Sequence, residues 1–546
     1  MTALLADEWD TLLREYDGRF PDETPPGWEV LIAHGKFTAT FPNRVTHECR
    51  LDSYESFWNV SPVTDPTTST LWRNSLRYLL EIDDNAEGWS VIVNVLQAFI
   101  QYIDRLAPSY DELRSGSLDH QMSLGLRVVG RLRSRLVASV LPDWSRREVD
   151  DVLCNVVARL ALIIQEAVQF LDNNHGVMLA IACEQASLVF RDVAGIADIR
   201  ARSDRFLSSC LDIVFDEQGI ARENTPLYQK MYVELLRQVV SFRTWSRDSA
   251  DASSQLITRM ADRAEQALAL MLLPNGHVPA IGDSSGGGCS YLPQSGTLFS
   301  ADSGCYFTKT DETYVSAVCG FRGVIHKQAD DMSMTLWHRG MSLIRDAGII
   351  GYDENDSRAV AVRSQRGHSG FFLQRFDGLS ARQLISFGRN TSRILGHIEL
   401  TRTPSSDLLT MEKVHDGRSA LRRVMEIDRQ ENRISLVDSV VSRPSEDDQR
   451  ISRFLVDPSL SLRVGPDGLR LTGGGRWLAI RAIGEYDLVV VRGHEGAMSD
   501  GWEGSQSLTR GFVSSAPYSS EPTWAVEFHH RGRHAGSCIQ FDISFG

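Results

Sequence analysis

Paired cysteines are the first thing this chain lacks. Its eight cysteines, at 49, 154, 183, 210, 289, 305, 319 and 538, include no Cys-x-x-Cys pair, so neither a zinc ribbon nor a redox motif is supported. Cys154, Cys183 and Cys210 fall inside apolar helical patterns and are expected as small core residues. The start, Met1-Thr-Ala-Leu-Leu-Ala-Asp-Glu-Trp-Asp10, has neither a basic segment nor an unbroken apolar run. No stretch is long and apolar enough to span a membrane, and the expected location is the cytoplasm, where a substrate would be an imported oligosaccharide or a precursor made there. An excess of positive charge is also missing. The formal net charge of -14 argues against a nucleic acid or an anionic membrane as the main partner, while leaving room for a locally basic cleft. No exact internal repeat occurs.

What is present is an ordinary globular composition, 42% hydrophobic and 23% charged, in a chain of 546 residues, which is too long for one core. Residues 1–60 are broken by Pro21, Pro25, Pro26 and Pro42 and read as a capping segment. Residues 61–285 are helical in pattern, with candidate helices at 69–81, 88–105, 119–139, 147–171, 177–193, 199–215, 226–246 and 254–273. Short connections suggest stacked antiparallel hairpins, as a solenoid or a closed toroid. In the last helix Ile257, Met260, Ala264, Ala267 and Met271 recur at three-four spacing, on a face expected to be buried. The Gly/Ser-rich run from Asp283 to Gly296 breaks the composition, and 286–297 reads as a linker. Beyond it the period becomes two: Trp524, Val526 and Phe528 alternate with Ala525, Glu527 and His529. Residues 298–546 are therefore expected to form an antiparallel β-sandwich.

Three stretches carry candidate chemistry. The first is Phe170-Leu-Asp-Asn-Asn-His-Gly176, after an apolar helix expected from Asp151 to Leu171 with a stripe at Val156, Leu160, Ile163, Ala167 and Phe170. Asn173 or Asn174 is expected in the left-handed conformation that closes a helix, with Gly176 freeing the turn. Alone, this is a helix cap with an incidental histidine. The second stretch is Gly219-Ile-Ala-Arg-Glu-Asn-Thr-Pro-Leu-Tyr228. The third opens the β-region with His326-Lys-Gln-Ala-Asp330, followed by Asp346-Ala-Gly348 and Arg363-Ser-Gln-Arg-Gly-His368.

Together these resemble the heparinase II/III-like polysaccharide lyases, which include heparin, heparan sulfate and oligoalginate lyases. The resemblance runs from about residue 60 to the end. It rests on Asn174-His175, on Glu223-x-x-Pro226-x-Tyr228, on Pro279-Ala-Ile-Gly-Asp283, and on His326 and Asp330 of a His-x-His-x-Asp element. It implies an incomplete α/α toroid followed by an antiparallel β-sandwich. It also implies β-elimination on a uronate-containing oligo- or polysaccharide.

That chemistry removes the proton on C5, next to the C6 carboxylate, and protonates the departing O4. Donors must hold the carboxylate as charge builds, a role the resemblance gives to Asn174 and His175. A tyrosine can serve as base and then acid if its pKa falls from about 10 toward neutrality. Tyr228 is the candidate acid, and His326 the partner base or a carboxylate donor. Arg127, His120 and Glu223 are candidates for substrate binding, although a surface arginine explains Arg127 as simply.

In the resembling family a zinc ion is held by positions that here read Gln328, Asp346 and His368. Glutamine is a poor zinc ligand, so no cofactor is expected to be required. At most a weakly held structural zinc is expected, with a hydrogen-bonded Gln–Asp–His cluster filling the space. Some relatives carry a further tyrosine before that histidine. Here Tyr352 could substitute only if its loop folds back. Two competing readings remain: a carbohydrate-binding protein without turnover, and a glycoside hydrolase using Glu223 and Asp283 across a cleft.

Overall fold

The computed structural model describes residues 11–16, 27–42, 44–58, 66–114, 117–246, 251–352, 356–387, 396–415, 419–442, 448–465, 468–493, 511–516, 519–532 and 536–546. Of the expected capping segment, residues 1–10, 17–26, 43 and 59–60 lie outside these. Backbone contacts divide the chain into two compact units. The first takes residues up to Val214 together with Glu234–Ala261, and the second takes Phe215–Val233 together with Asp262–Gly546.

The first unit opens with an antiparallel three-stranded sheet, β1 (Glu29–Ala33), β2 (Lys36–Thr40) and β3 (Thr46–Arg50). Its Phe37 and Phe41 rings pack on Tyr78. The helices are α1 (Ala86–Leu106), α2 (Leu118–Ala138), α3 (Asp143–Glu166), α4 (Asn174–Val189) and α5 (Ile196–Val214); α6 (Pro226–Trp245) and α7 (Ala252–Met271) are each divided between the two units, after Val233 and Ala261. The stripe expected on α7 is buried from Ile257 to Met271. Helix α4 packs between α2 and α5. Its run Val177-Met-Leu-Ala-Ile-Ala-Cys has no polar side because nearly every residue of the helix is buried. The one acid it hides, Glu184, is ion-paired to Arg243 at 2.6 Å and Arg200 at 3.1 Å.

Two expected helices end differently. The first, expected over 69–81, stops at Asn74. Leu76 turns left-handed (φ 61°) and a 3-10 turn follows at Arg77–Glu81. The second, expected to run to Leu171, stops at Glu166, so Phe170 is not helical. Arg202 donates to the carbonyls of Ile164 and Val168 at 2.7 and 2.6 Å, satisfying acceptors that the ending helix leaves open.

The second unit holds two antiparallel sheets. The first combines β4 (Gly296–Ser300), β5 (Cys305–Lys309), β6 (Thr313–Val318), β7 (Ser333–His338), β8 (Met341–Arg345) and, beyond a short helix α8 (Ser357–Arg363), β9 (Phe371–Leu373). The second is built from β10 (His397–Arg402), β11 (Ser406–His415), β12 (Ser419–Asp428), β13 (Arg433–Val440), β15 (Ser461–Gly465), β16 (Gly468–Gly473), β17 (Arg476–Ile483) and β20 (Cys538–Phe545). Strands β14 (Arg450–Val456), β18 (Tyr486–Arg492) and β19 (Trp524–His530) complete the first sheet. Its order is β18-β19-β14-β8-β7-β6-β5-β4, with β9 on β14; the other runs β10-β11-β12-β13-β20-β17-β16-β15. Leu336, Phe454 and Phe528 of one sheet share a core with Met411, Leu436 and Phe541 of the other, which makes a sandwich.

The alternation expected at Trp524–His529 is overridden. Ala525 and Glu527 are buried as well, because β19 lies inside the sheet with both faces covered, and Glu527 pairs with buried Arg453 at 2.7 Å. The Gly/Ser-rich run is packed only at its start, and most of residues 286–297 are exposed or half-buried. Gly287–Gly288 pairs with His277–Val278, and Asp283 and Ser284 are buried. Three strands of the sandwich, β4, β5 and β6, precede His326, so the β-region opens before it.

Candidate functional site

In the first unit, Asn174 and His175 begin α4 rather than ending α3. Asn173, extended at φ -148°, is the N-cap, and its side chain accepts from the Gly176 N–H at 3.1 Å. The expected left-handed asparagine is therefore replaced by a helix start. Gly176 is needed for space instead of turning, since a Cβ there would lie 1.9 Å from the Leu171 carbonyl oxygen. His175 Nδ1 lies 3.6 Å from Asp119 Oδ2, and Asp119 Oδ1 accepts from the His120 N–H at 2.9 Å. The His120 and His175 rings are 4.8 Å apart. Burial works against the Asp119 charge, but the hydrogen bond and charge of His175, with the His120 N–H, outweigh it and hold the carboxyl below its usual range. Arg127, two turns along α2 from His120, is half-buried and donates to Gln238 Oε1 at 3.2 Å. This group offers an amide, imidazoles and the N–H-rich end of a helix, all suited to an anion.

In the second unit, the segment before Tyr228 is pinned by Asp216, which accepts from Ser300 and Ser303 hydroxyls at 2.6 Å each and from the Gln218 and Ile220 N–H groups at 2.9 and 2.8 Å. Tyr228 sits in the first turn of α6. Asn224, left-handed at φ 64°, donates to the carbonyls of Gly323 and Ile325 at 2.7 and 2.8 Å. It thereby fixes the β6–β7 loop that carries His326, itself left-handed at φ 56°. The His326 ring stacks on Tyr228, with centroids 3.7 Å apart and an interplanar angle of 19°. The loop of Tyr352 does fold back: its Oη lies 3.3 Å from Tyr228 Oη and 3.1 Å from His326 Nδ1.

Two buried carboxylates flank the imidazole. Asp283 Oδ2 is 2.9 Å from Nδ1, and Glu223 Oε2 is 3.5 Å from Nε2. Glu223 also accepts from Tyr232 Oη at 2.5 Å. The arrangement is graded, with Glu223 at 0% exposure beneath and Tyr352 at 51% above. An ionised carboxylate only accepts, so the His326 Nδ1 that meets Asp283 is set to donate. Glu223 is thus a floor residue and not a surface for substrate. The hydrolase arrangement also fails here, because an imidazole fills the space between Glu223 and Asp283.

The expected fall in the Tyr228 pKa is reversed. Burial pushes the phenol up to about 12, a hydrogen bond from Tyr352 relieves it only in part, and Asp283 and Glu223 add to the rise. Burial, then Asp283 and Tyr228, raise Tyr352 as well. Both are neutral phenols at ordinary pH. Asp330, matched to the acid of the His-x-His-x-Asp element, is buried against Lys327 and takes no part in this group.

The three positions at which the resembling family holds zinc do come together. His368 Nδ1 is 2.7 Å from Asp346 Oδ2, and Asp346 Oδ1 accepts from the Gly348 and Gly282 N–H groups at 3.0 and 3.3 Å. Gln328 turns its amide nitrogen to Asp283 Oδ1 at 2.7 Å and to the Gly348 carbonyl at 3.3 Å. The donors are a poor set for zinc, with one imidazole, one carboxylate and an amide. His368 Nε2 and Gln328 Oε1 are nonetheless buried without a hydrogen-bond partner among the described residues. Among the described residues no three His, Cys, Asp or Glu side chains are grouped to hold a metal ion.

Reading the sequence for motifs left out Asn224 and Tyr232, and gave Asp283 only as a motif end or a hydrolase acid. Arg363 was also passed over; its guanidinium lies 5.9 Å from the Tyr352 ring.

The described helices and the two-sheet sandwich match the fold of solved heparinase III and heparan sulfate lyase structures. Residues 293–536 match the family model described as Heparinase II/III-like, C-terminal, and the chain carries that domain. The structure is similar to that of a heparan sulfate lyase HepC mutant from Pedobacter heparinus, at 13% identity and TM-score 0.66, covering 99% of this chain and 88% of that one. It is equally similar to a structure of heparinase III, at 12% identity and TM-score 0.66, covering 100% and 86%. At such identity the likeness is one of fold. No curated protein matches the sequence. Among the described residues no helix is long and apolar enough to cross a membrane.

Proposed function

We propose that this protein is a polysaccharide lyase that cleaves a uronate-containing glycan by β-elimination. The observation that carries the reading is the pair of neutral phenols, Tyr228 and Tyr352, joined at 3.3 Å and seated on His326. As the C5–H bond breaks, its proton passes to Tyr352 Oη, the Tyr352 proton passes to Tyr228 Oη, and the Tyr228 proton passes to O4. The C4–O4 bond breaks and a C4–C5 double bond forms. Both phenols end as they began, so neither needs the lowered pKa of a phenolate base. His326 Nδ1 lies 3.1 Å from Tyr352 Oη, and with its hydrogen turned to Asp283 the ring is a donor rather than the base. Within the first unit, Asn174 and His175 present amide and imidazole donors of the kind that suit a carboxylate. Arg363 supports an anionic substrate: its guanidinium lies 5.9 Å from the Tyr352 ring, its Nε donates to the Ala359 carbonyl at 3.1 Å, and its fork matches a carboxylate. The substrate is an anionic oligo- or polysaccharide, and no cofactor is invoked.

The test is growth of ultraviolet absorbance from the C4–C5 double bond across a panel of uronate polymers and oligomers, with wild type and Tyr228→Phe compared. Growth lost in the variant supports the reading. Reducing ends appearing without absorbance would mean hydrolysis, and binding without either would mean a carbohydrate-binding protein.

A further inference from the structure

Asp283 has two oxygens with two different partners. One meets the His326 ring at 2.9 Å and the other takes the Gln328 amide N–H at 2.7 Å. Gln328 is 1% exposed, and the same nitrogen reaches the Gly348 carbonyl at 3.3 Å. Gly348 is tied in turn to Asp346 at 3.0 Å, and Asp346 to His368 at 2.7 Å. A continuous buried chain of donors and acceptors therefore runs from His368 to His326. Two atoms beside it, Gln328 Oε1 and His368 Nε2, are buried without a hydrogen-bond partner among the described residues, while the polarity of the chain itself is determined. The Gln328 amide can only give a hydrogen, so Asp283 accepts at both oxygens and His326 must give its Nδ1–H. With Nδ1–H given to Asp283, that nitrogen cannot accept, and Tyr352 turns its own proton toward Tyr228 instead.

We propose that Gln328 is a positioning residue that sets the tautomer of His326 through Asp283, and that this glutamine-centred chain performs without metal the bracing that a bound zinc would otherwise give. The part of this that concerns rate rests on the lyase reading; the parts that concern tautomer and metal do not.

Three measurements test it on the full chain. Purified protein is assayed for metal and melted with and without EDTA; less than one-tenth of a zinc per chain and an unchanged Tm are expected. The ring nitrogens of His326 are observed by 15N NMR at one fixed pH. Wild type should show a protonated Nδ1, a signature that Gln328→Ala loses while its Tm stays close to wild type. In steady-state kinetics Gln328→Ala should lose roughly tenfold in kcat with KM unchanged, as for other residues that orient a reacting group from behind. If Gln328→Ala fails to fold, Gln328→Glu keeps the shape, turns a donor into an acceptor facing Asp283, and should lose the same NMR signature. Stoichiometric zinc whose removal lowers Tm, or a His326 signature unchanged in the folded variant, overturns the proposal. If wild type shows no elimination on any uronate, the lyase reading fails and the NMR and metal results still decide this one.

Discussion

Three histidines in this protein each sit beside an aspartate, and they differ in what they leave over. His175 stands 3.6 Å from Asp119 with 31% of its side chain exposed, and has a ring nitrogen to offer. His326 stands 2.9 Å from Asp283 at 18% exposure, with its second nitrogen facing Glu223. His368 stands 2.7 Å from Asp346 at 2% exposure, closed off altogether. As exposure falls the pair tightens, and the histidine passes from a group that can meet a ligand, through one that orients its neighbours, to one that braces the fold. The residue pair alone does not name the role; what surrounds the second nitrogen does.

That comparison can be broken in order of expected effect. Tyr228→Phe removes the proton donor above His326 and should lower kcat by about a thousandfold with KM little changed, measured by ultraviolet absorbance. Asp283→Asn keeps the shape but frees His326 from a fixed tautomer, and a loss of roughly a hundredfold in kcat is expected, with the fold intact by circular dichroism. Asp346→Ala strands a buried imidazole, so its effect should fall on stability, about 3 kcal/mol in denaturant unfolding. Because burial holds the Tyr228 phenol up to about 12, it keeps its proton beyond the ordinary tyrosine range. A kcat profile should accordingly show no alkaline loss centred near 10. Arg363→Ala is the smallest, about a fivefold rise in KM for an anionic oligosaccharide, because a partly exposed charge contributes about 1 kcal/mol.

Much of this was legible in the residues. Period changes marked the helical and sheet regions, and α6 and the buried face of α7 stand where their patterns put them. The order of short motifs pointed to Tyr228 and His326. The failures have physical causes. Asparagine serves both ends of a helix, so the run Asp172-Asn-Asn174 could not declare whether it closed α3 or opened α4. Tyr352 reaches Tyr228 across 124 positions of sequence, a distance at which no local pattern speaks. Asp283 lies in a glycine- and serine-rich run that reads as a linker by composition, yet its carboxylate is buried between two partners. The lowered tyrosine pKa was inferred from the chemistry wanted, while burial, which nothing in the motif reveals, sets the opposite direction.

The left-handed Asn224, clasping the Gly323 and Ile325 carbonyls, ties the Tyr228 segment to the loop of His326, and Asp283 and Tyr352 join them to complete the proposed proton path. Such a path has no local fragment that could form ahead of the rest. Turnover is therefore a stricter gauge of nativeness than helix content: along a denaturant series catalysis should vanish while the far-ultraviolet signal of the helical unit still stands.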